Sequence, residues 1–189
     1  MLRLHFVRHG ESTANAEAWL AGHGDAPLTE RGIAQAIALR DALRSQGFDR
    51  VVSSDLARAR RTAETIIEGR GLTLVTSPAL RERSCGQWER RSLAELDASG
   101  DIDLLQDFDG RSPGGESLRD VAKRVLLGLP ALLGEGDTLI VAHGAMMRAT
   151  IGVLDRVPFD RICAWKPNNC EVATRELSLA DLAAALRTL

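Results

Sequence analysis

Short, continuous apolar runs alternate along the chain with longer segments in which apolar residues recur every three or four positions. Such runs cover residues 2–7, 51–53, 72–75 and 138–143. Apolar runs of this length, bounded by glycine, serine or charged residues, are typical of strands buried on both faces of a sheet. The first run is followed directly by Arg8, His9 and Gly10, and the last one ends at His143. The pattern therefore predicts strands with histidines at two of their carboxyl ends.

The segments between these runs have the apolar spacing of helices and begin with polar residues that can cap a helix. Ser117 and Asp120 have the spacing of a capping box, in which the side chain and backbone at a helix start bind each other. The helix after the second strand should take Ser54 or Asp55 as its capping residue. Predicted helices cover residues 29–47, 54–67, 117–132, the segment from residue 144 onward, and 178–189.

Residues 77–115 have a different composition, with short apolar groups among Gly, Ser, Asp and Pro. We expect loops and short helices there, laid over one face of the protein as a lid or substrate-facing insertion. Residues 161–165 and 170–174 fit two strands at the edge of a sheet. The length of the chain is that of one domain, so a single domain over residues 1–189 is predicted.

Alternation of strands and helices predicts an α/β protein, a three-layer α/β/α sandwich with a mostly parallel central sheet, because parallel neighbours need crossover helices. In such sheets ligands bind at the carboxyl ends of the strands. His9 and His143 both follow predicted strands. We therefore expect these two residues, remote in sequence, to meet at one ligand site.

Charge and cysteine content narrow the class of protein. The 24 basic and 26 acidic residues are interspersed, which favours neither nucleic acid nor a membrane surface as a partner. The three cysteines form no Cys-x-x-Cys pair, so a disulfide framework or a zinc site is not expected. Without an apolar segment typical of a signal peptide or membrane span, we expect a cytoplasmic protein. The oligomeric state stays open, with a homodimer among the options.

Several motifs follow one another in a fixed order. The chain contains LHFVRHGESTAN at 4–15, GDAPLTERGIAQA at 24–36, VVSSDLARARRTAE at 51–64, LRE at 80–82, PGGES at 113–117 and VAHG at 141–144. In this order they closely resemble the motifs of the histidine phosphatase (phosphoglycerate mutase-like) superfamily, and its phosphatase branch in particular. The resemblance implies a phosphoglycerate mutase-like fold and an enzyme that acts on a small phosphomonoester.

The resemblance implies that His9 takes up the phosphoryl group as a phosphohistidine. An imidazole suits this role because its neutral form offers a lone pair at about pH 7. Arg8 and Arg58 match the phosphate-binding arginines of the family. A planar guanidinium donates paired hydrogen bonds to phosphate oxygens and keeps its charge. A single histidine after a strand is more often structural, so this assignment depends on the ordered set of motifs.

Four further residues receive roles from the resemblance. His143 matches the second histidine of the family, which donates to the transferring phosphoryl group. Glu82 matches the acid that protonates the leaving alkoxide and then deprotonates the hydrolytic water. Asn15 matches a phosphate donor, and Ser12 is close enough in sequence to line the site. Where the family usually has a glycine after the Trp-Glu pair, this chain has Arg90, which leaves the shape of the loop after Glu82 open.

Several functions are compatible with these motifs. A phosphatase is favoured because the chain is short and has no tyrosine, whereas the glycolytic mutases that it resembles have a longer central region with a tyrosine-containing segment. α-Ribazole phosphatase is a specific alternative, and phosphoglycerate mutase-type transfer is another. A catalytically inactive phosphate-binding regulatory module is disfavoured by the complete set of polar residues. We expect no metal and no cofactor, because arginines and histidines supply the positive field that magnesium gives other phosphatases.

Overall fold

A five-stranded sheet forms the centre of the protein in the computed structural model, which describes residues 1–189. The strands are β1 (Leu2–Arg8), β2 (Arg50–Ser54), β3 (Leu74–Ser77), β4 (Asp137–Ala142) and β5 (Val172–Leu177). They lie in the order β3-β2-β4-β1-β5, and only β5 runs antiparallel to its neighbour. The predicted mostly parallel sheet is confirmed.

Eight α-helices and four short 3₁₀ helices connect the strands. The α-helices are α1 (Thr13–Ala16), α2 (Glu30–Ala42), α3 (Ala57–Ile67), α4 (Leu93–Ala98), α5 (Ile102–Gln106), α6 (Leu118–Gly128), α7 (Gly144–Leu154) and α8 (Leu179–Leu186). The 3₁₀ helices are Pro78–Leu80, Gly86–Trp88, Leu129–Ala131 and Phe159–Ala164. None of the helices has the length and apolar character needed to span a membrane.

Helices cover both faces of the sheet because successive strand residues point to opposite faces. Val52 and Ile140 belong to the large apolar cluster that includes residues of α6, α7 and α8. Their neighbours Val51 and Leu139 belong to a second cluster with residues of α3, against which α2 packs. Both faces are therefore buried, which confirms the three-layer sandwich and explains why the strands are continuous apolar runs.

The predicted start of α3 is wrong. The helix begins at Ala57 after Leu56, whose side chain offers no capping hydrogen bond. Ser54 is the last residue of β2, and the carboxylate of Asp55 binds Arg81 with two hydrogen bonds of 2.7 and 2.6 Å. Asp55 therefore links the end of β2 to Arg81, the residue directly before Glu82.

The predicted strand at 161–165 is also wrong. These residues lie in the 3₁₀ helix Phe159–Ala164 and its C-terminal flank, and the side chain of Ile162 packs against Gly152 of α7. The sheet edge beside β1 is occupied by β5, which begins two residues later than predicted. The strand predicted at 72–75 is displaced to Leu74–Ser77, because Val51 of β2 pairs with Leu74.

After Ser77, which ends β3, the segment 77–115 contains only loops, 3₁₀ helices and the short helices α4 and α5, as the composition predicts. Four of their buried apolar residues, Cys85, Trp88, Leu96 and Leu105, form a small cluster of their own, whereas Leu80 and Phe108 belong to the large cluster on the sheet. Leu20, from the loop after α1, packs against this cluster. Leu80 and Phe108 therefore attach the two ends of the segment to the large cluster, and the residues between them have a small core of their own.

Candidate active site

A cavity of about 380 Å³ opens at the carboxyl ends of β1 and β4. These strands are parallel neighbours with Arg8 paired to Ala142, so the residues that follow them lie side by side. The cavity wall includes six of the seven residues predicted for the site: Arg8, His9, Ser12, Asn15, Arg58 and Glu82. The seventh, His143, is fully buried beside His9, with the two ring centroids 5.1 Å apart in an edge-to-face arrangement. The tertiary structure thus brings the whole set together.

His9 is held in one tautomer by its own loop. Its Nδ1 lies 2.7 Å from the carbonyl oxygen of Gly10, and a carbonyl can only accept, so Nδ1 carries the hydrogen. The lone pair is therefore on Nε2. Burial, and then the positive charges of Arg58 and Arg8, hold the pKa of His9 well below its usual value of 6.5. His9 is a neutral imidazole with an available nitrogen.

Glycine at position 10 is required by the close packing of this loop. A Cβ on Gly10 would overlap the carbonyl oxygen of Gly32 in the first turn of α2, and a Cβ on Gly32 would overlap the backbone of Glu11. The amide of Gly10 also donates to the hydroxyl of Thr62, at 3.1 Å. The loop that carries His9 is fixed between α2 and α3 by backbone contact.

The two predicted phosphate-binding arginines are held by backbone carbonyls. The guanidinium of Arg58, which is only 2% exposed, donates to Gly22 at 2.8 Å and to Gly24 at 3.1 Å. Arg8 donates to Pro167 at 2.7 Å, and its buried Nε has no partner. Burial lowers the pKa of both groups. The nearby Glu82 carboxylate opposes this lowering of the pKa in both cases, but neither guanidinium forms an ion pair, so both remain available to a ligand in the cavity.

The amide of Asn15 is oriented by three donors. Its Oδ1 accepts from the amide and hydroxyl of Ser12 and from Nδ2 of Asn169, each at 3.2 Å. The Nδ2 group of Asn15 is therefore left free to donate to a ligand. Asn169 also donates to the carbonyl of His9, at 2.9 Å. No sequence pattern singles out Asn169, because its contacts come from a loop far along the chain.

Glu82 sits at the N-terminus of α7. Its Oε1 accepts from the amides of Arg83 at 2.9 Å and Met146 at 3.1 Å, and its Oε2 accepts from the amide of Ala145 at 3.2 Å. A helix N-terminus has unpaired amides and a partial positive charge, and both attract a carboxylate. His23, whose role the sequence leaves open, lies with Nε2 2.8 Å from the carbonyl of Glu82 and supports this loop.

His143 is an unsatisfied buried group. Both ring nitrogens are buried without a hydrogen-bond partner, and the ring does not form part of the cavity wall. A buried donor without an acceptor costs about 1–3 kcal/mol, so a nitrogen of this kind gains free energy from any ligand oxygen that reaches it. Burial, followed by the charge of Arg58 and the proximity of His9, holds the pKa of His143 well below 6.5.

Arg90, the departure from the family pattern, keeps the backbone shape that a glycine would give. Its φ is +71°, in the left-handed region that glycine adopts freely. The amide of Arg90 donates to the carbonyl of Leu20 at 2.8 Å, and its guanidinium lies 6.0 Å from the ring centroid of Trp19. The loop after Glu82 is therefore closed by an arginine that adopts the conformation of a glycine.

The cavity wall also contains residues that the sequence analysis does not assign. Three are cationic: Arg83, Arg148 and Lys166. Arg83 follows Glu82 directly, and Arg148 lies four residues after Gly144 on the helix that follows His143, so position relative to the motifs could have indicated both. Apolar side chains of Leu20, Leu93 and others line another part of the wall.

Comparison with known proteins agrees with this geometry. The sequence model of the histidine phosphatase superfamily (branch 1) matches residues 4–182. A protein of Yersinia pestis (strain Pestoides F) named "Probable phosphoglycerate mutase GpmB" is 34% identical over 180 residues, which span 92% of this chain and 84% of that protein.

Two solved structures illustrate the structural similarity. A mycobacterial glucosyl-3-phosphoglycerate phosphatase, solved with VO3, is 30% identical and superimposes with a TM-score of 0.85 over 91% of each chain. The α-ribazole phosphatase of Shigella flexneri is 30% identical, with a TM-score of 0.80 over 93% of this chain and 91% of that one. These similarities confirm the phosphoglycerate mutase-like fold.

Proposed function

Because the chain belongs to the histidine phosphatase superfamily, we propose that it is a phosphatase that hydrolyses a small phosphomonoester through a phosphohistidine on His9. One observation supports the proposal above all others. The Nδ1 hydrogen of His9 is bound to the Gly10 carbonyl, which leaves the lone pair on Nε2 near two arginines that form no ion pair. This is the arrangement that a nucleophile for a phosphate dianion needs.

Substrate binding follows from the unused donors. The free N–H groups of Arg8 and Arg58 and the Nδ2 group of Asn15 can donate to the oxygens of a phosphate. His143, whose ring nitrogens have no partner, gains an acceptor when a phosphoryl oxygen reaches it. Ser12 acts on Asn15 by holding its amide in the donating orientation. A phosphate dianion therefore supplies acceptors to donors that have no partner within the protein.

The reaction proceeds in two displacements. Nε2 of His9 attacks phosphorus, the P–O bond to the organic group breaks, and Glu82 gives its proton to the departing oxygen. Glu82 then takes a proton from a water whose oxygen attacks the same phosphorus, the P–N bond breaks, and inorganic phosphate leaves. His9 is regenerated as the neutral imidazole. One carboxyl group thus serves as acid and then as base.

Residues 77–115 supply much of the wall that surrounds the organic group. Cys85, Leu93, Ile102, Leu105 and Gln106 line the cavity, and we assign this segment as the substrate-facing insertion. Burial raises the pKa of the Cys85 thiol to about 12, so this cysteine is a packing residue and not a second nucleophile. The single domain, the cytoplasmic location and the absence of nucleic-acid partners are proposed with this function.

The nucleophile is tested by trapping the intermediate. Purified protein is mixed with a ³²P-labelled phosphomonoester, quenched in alkali, where phosphohistidine survives, and mapped by peptide sequencing. Label is expected on His9, and His9→Ala should lose both the label and turnover of p-nitrophenyl phosphate. His5→Gln is the matched control, because His5 lies outside the cavity wall and should leave turnover intact. Substantial activity of a folded His9→Ala would reject the assignment.

Mutase activity is the second candidate, because a relative that is 34% identical is named a phosphoglycerate mutase. The two activities differ in the fate of the phosphohistidine, which a phosphatase gives to water and a mutase returns to substrate. A panel of phosphomonoesters that includes α-ribazole phosphate is screened for phosphate release. Separately, 3-phosphoglycerate with 2,3-bisphosphoglycerate is assayed for 2-phosphoglycerate. Isomerisation faster than phosphate release would replace the phosphatase assignment.

A further inference from the structure

We propose that the organic part of the substrate carries a second anionic group, a carboxylate or a second phosphate, which is bound by Arg83, Arg148 and Lys166. These three residues are called the distal cations below. The inference rests on the proposed function, since it takes the ester phosphate to be bound at His9. It adds the chemical class of the substrate.

The cavity has more positive charge than one phosphate requires. Five cationic side chains line it, which are those of Arg8, Arg58 and the distal cations, and Glu82 is the one carboxylate. The ester dianion and an ionised Glu82 supply three negative charges against these five cations, and a protonated Glu82, the form that acts as the acid, leaves only two, so positive charge remains for a second anion. A cavity lined mainly by one sign of charge concentrates ligands of the opposite sign.

The distal cations continue outward from the arginine that binds phosphate. The side chain of Arg8 lies over Gly144, where a Cβ would be 3.5 Å from the Arg8 Nε. Arg148 is four residues further along α7, so it lies on the same face of the helix about 6 Å beyond Gly144 along the helix axis. Lys166 directly precedes Pro167, whose carbonyl accepts from Arg8. Arg148 and Lys166 therefore extend the positive surface from the phosphate position towards the rest of the cavity, whose wall also contains Arg83.

Neither Arg83 nor Arg148 uses all of its N–H donors in hydrogen bonds within the protein. Arg83 is only 4% exposed, and its guanidinium donates one hydrogen bond, to Leu105 at 3.3 Å. Arg148 has a buried Nε without a partner. Burial, with the nearby charge of Arg148 acting in the same direction, lowers the pKa of Arg83. A buried guanidinium without a carboxylate partner is costly, and unpaired charges of this kind cluster at ligand sites.

Other arginines near the cavity show what a structural arginine looks like in this protein. Arg81, two residues before Arg83, binds both oxygens of Asp55, and Arg124 binds both oxygens of Glu116. These side chains are neutralised and do not line the cavity. Arg83 and Arg148 differ on both counts, which favours a ligand as their missing partner.

The apolar residues of the wall indicate what lies between the two anionic ends. Leu20, Leu93 and Ile102 line the same cavity, and they suit the carbon skeleton of a small molecule. A phosphorylated sugar acid or hydroxy acid, or a bisphosphate of similar length, has the required order of groups. A carboxylate and a second phosphate would both bind the distal cations as anions, and the assay below distinguishes between them.

Matched substrates test the proposal, because they differ only at the end remote from the ester. Glycerol 3-phosphate is compared with 3-phosphoglycerate and glycerol 1,3-bisphosphate, and sorbitol 6-phosphate with 6-phosphogluconate and sorbitol 1,6-bisphosphate. The quantity measured is a ratio: kcat/KM for the acid or the bisphosphate, divided by kcat/KM for the monophosphate of the same length that ends in a hydroxyl group. Because a hydrogen bond to a charged group changes binding by about 10- to 100-fold, a ratio of at least about 10 is expected for one length and one anion.

Variants then assign the preference to residues. Arg148→Gln and Arg83→Gln should each lower the ratio about tenfold, mainly through KM, and Arg83→Lys should restore part of it. Arg44→Gln is the matched control, since it removes a cation that is 83% exposed and outside the cavity, and the ratio should not change. Thermal unfolding is measured for each variant to show that it is folded. If Arg83→Gln does not fold, the result for Arg148→Gln decides the test.

The outcomes separate this inference from the proposed function. If His9 is phosphorylated but acids, bisphosphates and alcohols are turned over equally at both lengths, the distal cations do not bind a second anion. Equal losses on alcohols and anions in folded variants would likewise assign Arg83 and Arg148 to structure. If His9 is not phosphorylated by any substrate, the proposed function itself fails.

Discussion

Replacement of Glu82 by glutamine removes the proposed acid while it keeps the size of the side chain. In the structure the carboxylate accepts three backbone hydrogen bonds, two on Oε1 and one on Oε2. A glutamine oxygen can keep the two bonds to Arg83 and Met146, but its NH2 group then faces the amide of Ala145. One buried amide loses its acceptor, which should lower the free energy of unfolding by about 1–3 kcal/mol. The rates must therefore be measured well below the melting temperature.

The effect on rate depends on the leaving group. A positioned general acid contributes about 10²- to 10⁴-fold to a reaction, and an alkoxide needs that proton far more than p-nitrophenolate does. Glu82→Gln should therefore lower kcat/KM by about 10²- to 10⁴-fold for an alkyl phosphate and by at most about tenfold for p-nitrophenyl phosphate. We choose kcat/KM because it reports the steps up to loss of the alcohol, whereas kcat also contains hydrolysis of the phosphohistidine.

The assay compares glycerol 3-phosphate with p-nitrophenyl phosphate, by phosphate release and by absorbance. Glu95→Gln is the matched control, because the Glu95 carboxylate also accepts a backbone amide, that of Ser92 at 2.9 Å, yet lies outside the cavity. It should leave both rates within about twofold, as surface substitutions usually do. Equal losses of kcat/KM on both substrates in folded Glu82→Gln would refute the acid role and leave Glu82 as a support for α7.

Two further predictions concern pH and metals. Burial holds the pKa values of His9 and His143 well below 6.5, so the folded protein keeps both neutral while the unfolded chain takes up protons below about pH 6.5. The free energy of unfolding should therefore be constant above about pH 6.5 and should decrease at lower pH, by up to about 1.4 kcal/mol per pH unit for each histidine. Urea unfolding at several pH values should show a smaller slope for His143→Gln, and an unchanged slope would contradict the prediction. Activity should survive dialysis against EDTA, because arginines supply the positive charge of the cavity; a loss that magnesium restores would reverse that expectation.

Local patterns predicted much of the fold. The four apolar runs lie at or within two residues of β1 to β4, of which β1, β2 and β4 are buried on both faces, and the Ser117 and Asp120 pair forms the capping box at the start of α6. Prediction failed where a local preference competed with a distant partner. Asp55 has the side chain of a helix cap but binds Arg81. Residues 161–165 have the composition of a strand but lie in and after a 3₁₀ helix that contacts α7 through Ile162.

For the site, the motifs alone named the residues that carry the proposed chemistry, because each motif is a local run of residue types. Contacts between remote segments decided the rest. Glu82 binds the amide of Ala145, 63 positions away, and Asn169 orients Asn15 from 154 positions away. That neither Arg83 nor Arg148 forms an ion pair, although Glu82 is adjacent to Arg83 in the sequence, is likewise visible only after folding. Residue types can be read along the chain, but the distances that decide orientation, burial and charge compensation exist only once the chain is packed.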